Sequence, residues 1–114
     1  MAADLAGLVH LLDIAREEAR ATGGVINTGH LLLAAMRSGD RDVAESVAGL
    51  SMADVRAAAN RTRTSGRPGL TRHARAVHTA VLSRCDWDRR TAPAVLLLLE
   101  LGERRSLARR LLRG

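Results

Sequence analysis

The sequence predicts an all-α fold made of two tandem, pseudo-symmetric helical repeats, and three observations lead to that prediction. The 114 residues are rich in alanine, leucine and arginine, which favour helices, while phenylalanine and tyrosine are absent and Trp87 is the only aromatic residue. Apolar residues recur three and four positions apart, which is the spacing of one helix face. The same apolar pattern then returns about 64 positions further along the chain.

The first repeat opens with a predicted helix over about residues 4–21. Its apolar face consists of residues at helical spacing, namely Leu5, Leu8, Val9, Leu12, Ala15 and Ala19. The sequence Thr22-Gly23-Gly24 predicts the end of this helix, because glycine readily adopts the left-handed conformation that closes many helices. Val25 and Ile26 are predicted to form a short buried connection.

Three more helices are predicted in the first repeat. Thr28 carries a hydroxyl suited to capping the second helix, which is apolar over residues 30–37. A short third helix is predicted over residues 41–48. Ser51 and Asp54 have the spacing of a capping box and open a fourth helix that extends to about residue 61.

Residues 62–69 are polar and contain glycine, serine and proline, which is typical of a linker. Beyond them, the apolar positions of the first three helices recur with offsets of 65, 63 and 64 residues. This recurrence predicts an internal duplication within a single domain of residues 1–114, with repeat one at about 4–61 and repeat two at about 70–114. The second repeat is expected to have about three helices rather than four, because the sequence stops before a copy of the fourth.

Composition argues against several classes of function. Cys85 is the single cysteine, so we expect neither a disulfide framework nor a cysteine-based zinc site, and a reducing compartment is favoured. The longest apolar run, residues 94–99, is far shorter than the roughly 20 residues that span a bilayer. No basic segment leads into an apolar stretch at the N-terminus, so we expect no signal peptide and a cytoplasmic location. A phosphate-binding P-loop and a catalytic pair of carboxylates are both missing from the sequence, so we expect neither an enzyme nor a cofactor.

The net charge of +6 is unevenly distributed along the chain. Residues 1–55 carry four arginines and eight acidic residues, a net −4, whereas residues 56–114 carry fourteen and four, a net +10. The basic half makes a nucleic acid the alternative partner. We favour a protein partner, because no aromatic residues accompany the arginines for base stacking and the lack of lysine indicates biased codon usage.

The first repeat contains the stretches Ala15-Arg-Glu-Glu-Ala19 and Asn27-Thr-Gly-His-Leu-Leu-Leu-Ala34, followed by Gly39 and Val43-Ala44. This pattern resembles the Clp N-terminal domain, the double-repeat module that precedes the ATPase rings of bacterial ClpA- and ClpC-type unfoldases. The second repeat is a looser match, with Thr91-Ala-Pro in place of the family's Thr-Glu-His. The resemblance covers about residues 5–114 and implies two similar four-helix repeats.

The resemblance also implies a function in binding proteins or peptides, whether client proteins, adaptors or a Clp ATPase. A stand-alone copy of the module would act as an adaptor, a decoy or a sink for peptide antibiotics that target the unfoldase. In ClpC-type members a glutamate after the capping threonine holds the guanidinium of phosphorylated arginine, and here Gly29 and Ala92 take the glutamate positions. Neither side chain accepts hydrogen bonds, so we do not expect phosphoarginine to bind. Leu5 and Leu70 replace the aromatic residue at each repeat start, which argues against the family's antibiotic site.

By the same resemblance, contacts with a partner would come from the starts of the helices, at Leu5, Thr28, Gly29, His30, Leu70, Thr91, Ala92 and Pro93. Trp87, predicted in the loop before Thr91, is either an exposed anchor for a partner or a cover over the repeat interface. Asp86 and Asp88 flank it and are candidates to replace the missing glutamates.

The histidines and the cysteine are interpreted as structural. His30, at a helix start, has the position of a capping or packing residue. His73 and His78 lie five residues apart, so on a helix they point about 140° apart, and together with Cys85 they do not predict a metal site. The arginine pairs at 104–105 and 109–110 are interpreted as a solvated coat on the last helix.

Overall fold

Helices make up nearly all of the regular structure in this computed structural model, which describes residues 2–62 and 67–114. Within these ranges the predicted all-α class is confirmed, with one short pair of strands as the exception. In chain order the elements are α1 (Ala2–Glu18), β1 (Val25–Ile26), α2 (Thr28–Arg37), α3 (Arg41–Ser46), α4 (Met52–Arg61), β2 (Gly69–Leu70), α5 (Arg72–Trp87), α6 (Pro93–Glu103) and α7 (Leu107–Arg113).

Helix α1 buries one face and leaves its flank open. The buried side chains are Leu8, Leu11, Ile14, Ala15 and Ala19. The predicted stripe is wrong at two positions, because Leu5 and Val9 are 49% and 56% exposed. The buried face is centred near Leu8 and Leu11, so a spacing of 100° per residue leaves Leu5 and Val9 on its flank. The end of the helix is as predicted, with Gly23 at φ 70° after a single 3-10 turn.

Helix α2 is the central helix of the fold. All residues from 28 to 35 are buried, because α1, α4 and α6 pack around the helix. An apolar surface on every side is typical of a helix in this position. Helix α6 contributes a second set of fully buried side chains to the same core, including Leu96, Leu97 and Leu101.

The predicted cap of α2 is wrong by one residue. Asn27 rather than Thr28 is the N-cap, and its Oδ1 accepts a hydrogen bond from the His30 N–H at 3.2 Å. Thr28 lies in the first turn, where its Oγ1 accepts a hydrogen bond from the Ala108 N–H at 3.2 Å. That bond joins the start of α2 to α7.

Helices α3 and α4 both begin at a side-chain cap. The Asp40 Oδ1 accepts the Val43 N–H at 3.0 Å, and the Ser51 Oγ accepts the Asp54 N–H at 3.2 Å, as the capping-box spacing predicts. Helix α3 ends at Ser46, two residues before the predicted end.

The start and end of α5 differ from the prediction. Leu70 belongs to β2 rather than to the helix, which begins at Arg72 behind the cap Thr71. Trp87 is the last residue of α5 and not part of a loop. The helix continues this far because its apolar face still finds core contacts at Cys85, which is buried.

Helix α6 begins without a side-chain cap. Its N-cap is Ala92 and not Thr91, the residue that matches Thr28 of the first repeat. Pro93 occupies the first helical position, where a residue without an N–H loses no hydrogen bond and the fixed φ already suits a helix.

Strands β1 and β2 pair in parallel, with Val25 opposite Gly69 and Ile26 opposite Leu70. The Thr71 N–H continues the ladder by donating to the Ile26 carbonyl at 2.9 Å. The predicted burial of Val25 and Ile26 is confirmed. The ladder fixes the chain that follows α1 against the chain that precedes α5.

The predicted linker, residues 62–69, is described only at its two ends. Residues 63–66 lie outside the described part of the chain. At the far end, Gly69 pairs in β2, so this part of the predicted linker is held in place by backbone hydrogen bonds.

Helices of the first half pack against helices of the second half as well as against one another. Helix α1 packs on α2 and α6, while α5 packs on α6 and α2. Helix α3 contacts α6, and α7 contacts α2. Across residues 2–62 and 67–114, no helix is both long enough and apolar enough to cross a membrane.

Two buried carboxylates join helices through ion pairs. Glu18, at the end of α1, contacts Arg56 of α4 at 2.8 Å and Arg37 of α2 at 2.9 Å. Glu100 of α6 contacts Arg84 of α5 at 2.8 Å. The hydrogen bonds from Arg56, aided by those from Arg37, hold the pKa of Glu18 below its usual value, so this carboxylate stays charged in the interior.

Candidate functional site

The residues predicted to contact a partner do not form one surface. The structure places Leu5 on the exposed flank of α1, Thr28 in a cavity between α2, α5 and α7, Gly29 and His30 in the interior, Leu70 in a groove beside α1, and Trp87, Thr91, Ala92 and Pro93 around the α5–α6 connection. Each of these places offers a different chemistry.

His30 is fully buried and holds the start of α2. Its Nδ1 accepts the Asn27 N–H at 3.1 Å, so the proton of the neutral ring lies on Nε2, which donates to the Asn60 Oδ1 at 3.1 Å. Burial lowers the pKa of His30 below its usual value, because the cationic ring would lose its hydration. The interpretation of His30 as a capping and packing residue is confirmed.

Gly29 is buried where α4 and α7 press against α2. A Cβ added at this position would lie 2.8 Å from the Ala59 Cβ and 3.1 Å from a methyl group of Leu107. The packing therefore requires glycine, and a glutamate side chain at this position would have no room. The missing carboxylate follows from the close approach of these helices.

The cavity beside Thr28 is strongly basic. It has a volume of about 720 Å³ and lies between the N-terminal ends of α2 and α5 and the side of α7. The described residues that line it include five basic ones and no acidic one; the basic ones are His73, Arg105, Arg109, Arg110 and Arg113.

Sequence reasoning missed this cavity, although a signal was present. Arg105, Arg109 and Arg113 follow one another at intervals of four residues, and the last two lie one turn apart on one side of α7. Interpreting the arginines as adjacent pairs hid that spacing. The opposite wall, formed by Thr28 and Thr71, comes from distant parts of the chain and leaves no trace in the local sequence.

A second groove of about 800 Å³ runs beside α1. Leu12 and Leu70 contribute apolar surface to it, and charged side chains of the last turns of α1 form its rim. Leu5, Val9 and Leu12 follow one another at intervals of four and three residues, so they form one row along α1. The exposed flank of α1, formed by Leu5 and Val9, therefore leads into this groove.

Trp87 is 73% exposed, so it does not cover the contact between the two halves. Next to it, the Asp88 carboxylate accepts hydrogen bonds from the Thr91 Oγ1 at 2.9 Å and from the Thr91 N–H at 3.1 Å. These bonds lower the pKa of Asp88 and tie its carboxylate to the α5–α6 connection. Pro93 packs against α1, where its Cγ would lie 3.1 Å from a Cβ added at Gly7.

His78, Cys85 and Asp86 all lie on α5. His78 is half-buried in α5, and burial lowers its pKa. Cys85 is buried and Asp86 is exposed on the same helix. Within the described ranges, no three histidine, cysteine, aspartate or glutamate side chains lie close enough to hold a metal ion.

Comparison of the sequence with models of known protein families and with curated proteins finds no match. The fold, the basic cavity and the apolar flank of α1 are therefore the features on which a function can be argued.

Proposed function

We propose that this protein is a helical interaction module of the Clp N-terminal domain type, which binds segments of client proteins, adaptors or a Clp ATPase. In this role it acts as an adaptor or decoy of a Clp protease system, or takes up peptide antibiotics aimed at the unfoldase. The proposal includes a bacterial, cytoplasmic location, where the single thiol of Cys85 suits a reducing environment.

The packing of the helices supports the proposed duplication. Exchanging α1, α2 and α3 for α5, α6 and α7 reproduces the same set of helix contacts. Arg37 and Glu100, which correspond at an offset of 63 residues, both pair with an opposite charge on the preceding long helix, Glu18 and Arg84 respectively. Each half thus has an ion pair at the corresponding helix contact, with the acidic and basic partners exchanged.

The open flank of α1 is the observation that carries the binding function. Leu5 and Val9 lie one helical turn apart and are about half exposed, while most other large apolar side chains are buried. Contiguous exposed apolar surface that leads into a groove is typical of an interaction site. The neighbouring Leu12 and Leu70 extend this surface, so a partner segment with apolar side chains fits it.

Binding of short peptides tests this function. The protein is titrated against uncharged peptides that contain leucine and phenylalanine, and against the same peptides with serine at those positions. We expect the apolar peptides to bind and the serine peptides to fail. The double variant Leu5→Gln/Val9→Gln is expected to weaken binding about tenfold or more, because it removes two apolar contacts.

The matched control changes two exposed leucines elsewhere, in the double variant Leu82→Gln/Leu99→Gln. These side chains are 38% and 46% exposed on α5 and α6, so the loss of exposed apolar surface is similar. We expect this variant to bind the apolar peptides with unchanged affinity. Equal losses in both double variants, or no binding by the unaltered protein, would contradict the proposed function.

Free phosphoarginine is expected to bind no more tightly than inorganic phosphate. The position of Gly29 is closed by packing, Ala92 offers only a methyl group, and Asp88 is already engaged by Thr91. A guanidinium in the basic cavity would also face arginines rather than a carboxylate. Isothermal titration with both ligands measures this, and a clear preference for phosphoarginine would show that the pocket of the resembled family has been rebuilt.

A further inference from the structure

We propose that the basic cavity between α2, α5 and α7 binds an acidic segment of a partner polypeptide through its carboxylate groups. The inference rests on the proposed function in one respect, namely that the occupant is a peptide. The site itself is separate from the apolar flank of α1, and it selects for the opposite kind of side chain.

Among the described residues, none neutralises the charge of the cavity. Elsewhere in the fold, Arg37, Arg56 and Arg84 each pair with a buried glutamate. Within the described part of the chain, the four arginines of the cavity form no ion pair, and no carboxylate lines the walls. Cations gathered in a concave space attract anions more strongly than the same cations spread over a flat surface.

Arg109 supplies the most specific observation. Its Nε is buried and has no hydrogen-bond acceptor among the described residues. Buried donors in proteins are nearly always paired, so an orphaned one calls for a partner. Because Arg109 also lines the cavity, a movement of its side chain toward a bound carboxylate would give this donor an acceptor.

The opposite wall supplies further donors. Thr28 Oγ1 and Thr71 Oγ1 accept backbone N–H bonds from Ala108 and Ala74, which leaves each hydroxyl proton free to be donated. Both threonines stand at the N-terminal ends of helices, of 10 and 16 residues, where the helix dipole favours a negative charge. Arginines on one wall and hydroxyls on the other therefore converge on the same space.

The corresponding place in the first half keeps only part of this chemistry. At the offset of 64 residues, Arg105 corresponds to Arg41, whereas Arg109 and Arg110 correspond to Glu45 and Ser46. The arginines at positions 109 and 110 are therefore not a general consequence of the duplicated fold.

Two features favour a peptide over a nucleic acid. The cavity has room for a few residues, and the only aromatic ring among the described residues that line it is the imidazole of His73, so bases would find little surface to stack on. Guanidinium groups also form paired hydrogen bonds with carboxylates, which an acidic segment offers at each glutamate or aspartate.

Fluorescence anisotropy with a labelled Gly-Glu-Glu-Glu-Glu-Gly peptide at low salt tests the inference. The double variant Arg109→Gln/Arg110→Gln is expected to lower the affinity about tenfold or more. The control Arg89→Gln/Arg90→Gln removes the same charge from two exposed arginines outside the cavity, and we expect a change of about twofold or less. Arg113→Gln serves as a second, milder variant if the first double variant is unstable.

Equal losses in the two double variants would overturn the inference, because they would show attraction by net charge alone. A mixed-sequence oligonucleotide that binds more tightly than the peptide and depends on the same arginines would assign the cavity to nucleic acid instead. The variant Leu5→Gln/Val9→Gln separates the two proposals, since it should lose the apolar peptides and keep the acidic one. Failure of the apolar peptides alone removes the proposed function, whereas failure of the acidic peptide alone removes this site.

Discussion

A single buried imidazole fixes the start of the central helix. His30 accepts a hydrogen bond from Asn27, donates one to Asn60 and is fully enclosed. The bond from Asn27 requires the neutral ring, because a second ring proton on Nδ1 would point at the Asn27 N–H, whereas either form of the ring can donate from Nε2 to Asn60. The residue is thus a structural element whose protonation opposes folding.

Lowering the pH should therefore destabilise the fold through His30. The pKa of His30 is lowered in the folded state. The contribution of its neutral ring to stability is therefore complete above the unfolded pKa of about 6.5 and is lost progressively below it. Chemical unfolding between pH 7.5 and 5 measures the slope, and His30→Gln should reduce it. The exposed His10, changed to Gln, is the control. His78 adds a slope of the same sign, because burial lowers its pKa as well. A His30→Gln variant with an unchanged slope would contradict this role.

At Gly29, the lack of a side chain is itself a packing requirement. Alanine normally stabilises a helix by up to about 1 kcal/mol relative to glycine. Gly29→Ala should instead destabilise the protein by about 1–3 kcal/mol, since its Cβ would overlap that of Ala59. Gly102→Ala, where the nearest side-chain atom is 4.0 Å away, should be neutral or stabilising. Thermal unfolding compares the two, and a stabilised Gly29→Ala variant would refute the packing.

At the scale of elements, ion pairs through Glu18 join α1, α2 and α4. Glu18→Gln should destabilise the protein by about 1–3 kcal/mol, because it leaves Arg37 and Arg56 without their charged acceptor. Its neighbour Glu17 is 56% exposed and contacts Arg37 at 3.4 Å, so Glu17→Gln should change stability by about 0.5 kcal/mol or less. Urea unfolding at pH 7 measures both.

The pH dependence of stability tests whether Glu18 stabilises the fold through its charge. Its pKa is lowered, so its contribution is present above the ordinary glutamate value of about 4.3 and is lost as the pH falls through the folded value. The difference between Glu18→Gln and the unaltered protein should therefore shrink in acid. A difference that persists at low pH would mean that the substitution acts through packing rather than charge.

Helix existence could be predicted from the spacing of apolar residues, but the ends of helices could not. Asn27 and Thr28 are both residue types that commonly cap helices. Asn27 is the N-cap, whereas the Thr28 hydroxyl accepts a hydrogen bond from α7, a contact that the local sequence does not show. Spacing also predicts an apolar row without showing whether a neighbouring element covers it, and the structure leaves Leu5 and Val9 of the predicted row about half exposed. In each case the deciding contact comes from a distant part of the chain.

For the molecule as a whole, the candidate sites are products of the tertiary structure. The basic cavity joins Thr28, Thr71 and the arginines of α7, which are far apart in sequence. Composition showed that the second half of the chain is basic, but not that four of its arginines line a cavity. The exposed position of Trp87 likewise follows from where α5 ends and not from the residues around it.

We propose that this small helical domain binds polypeptide segments along α1. An amide chemical-shift map of the isotope-labelled protein, recorded during titration with an uncharged leucine-containing peptide, locates the surface that binds. We predict that the largest shifts fall between Leu5 and Leu12 and at Leu70, where the exposed flank meets the groove. Shifts confined to the surface around Leu82 and Leu99, or none at all at saturating peptide, would contradict the claim.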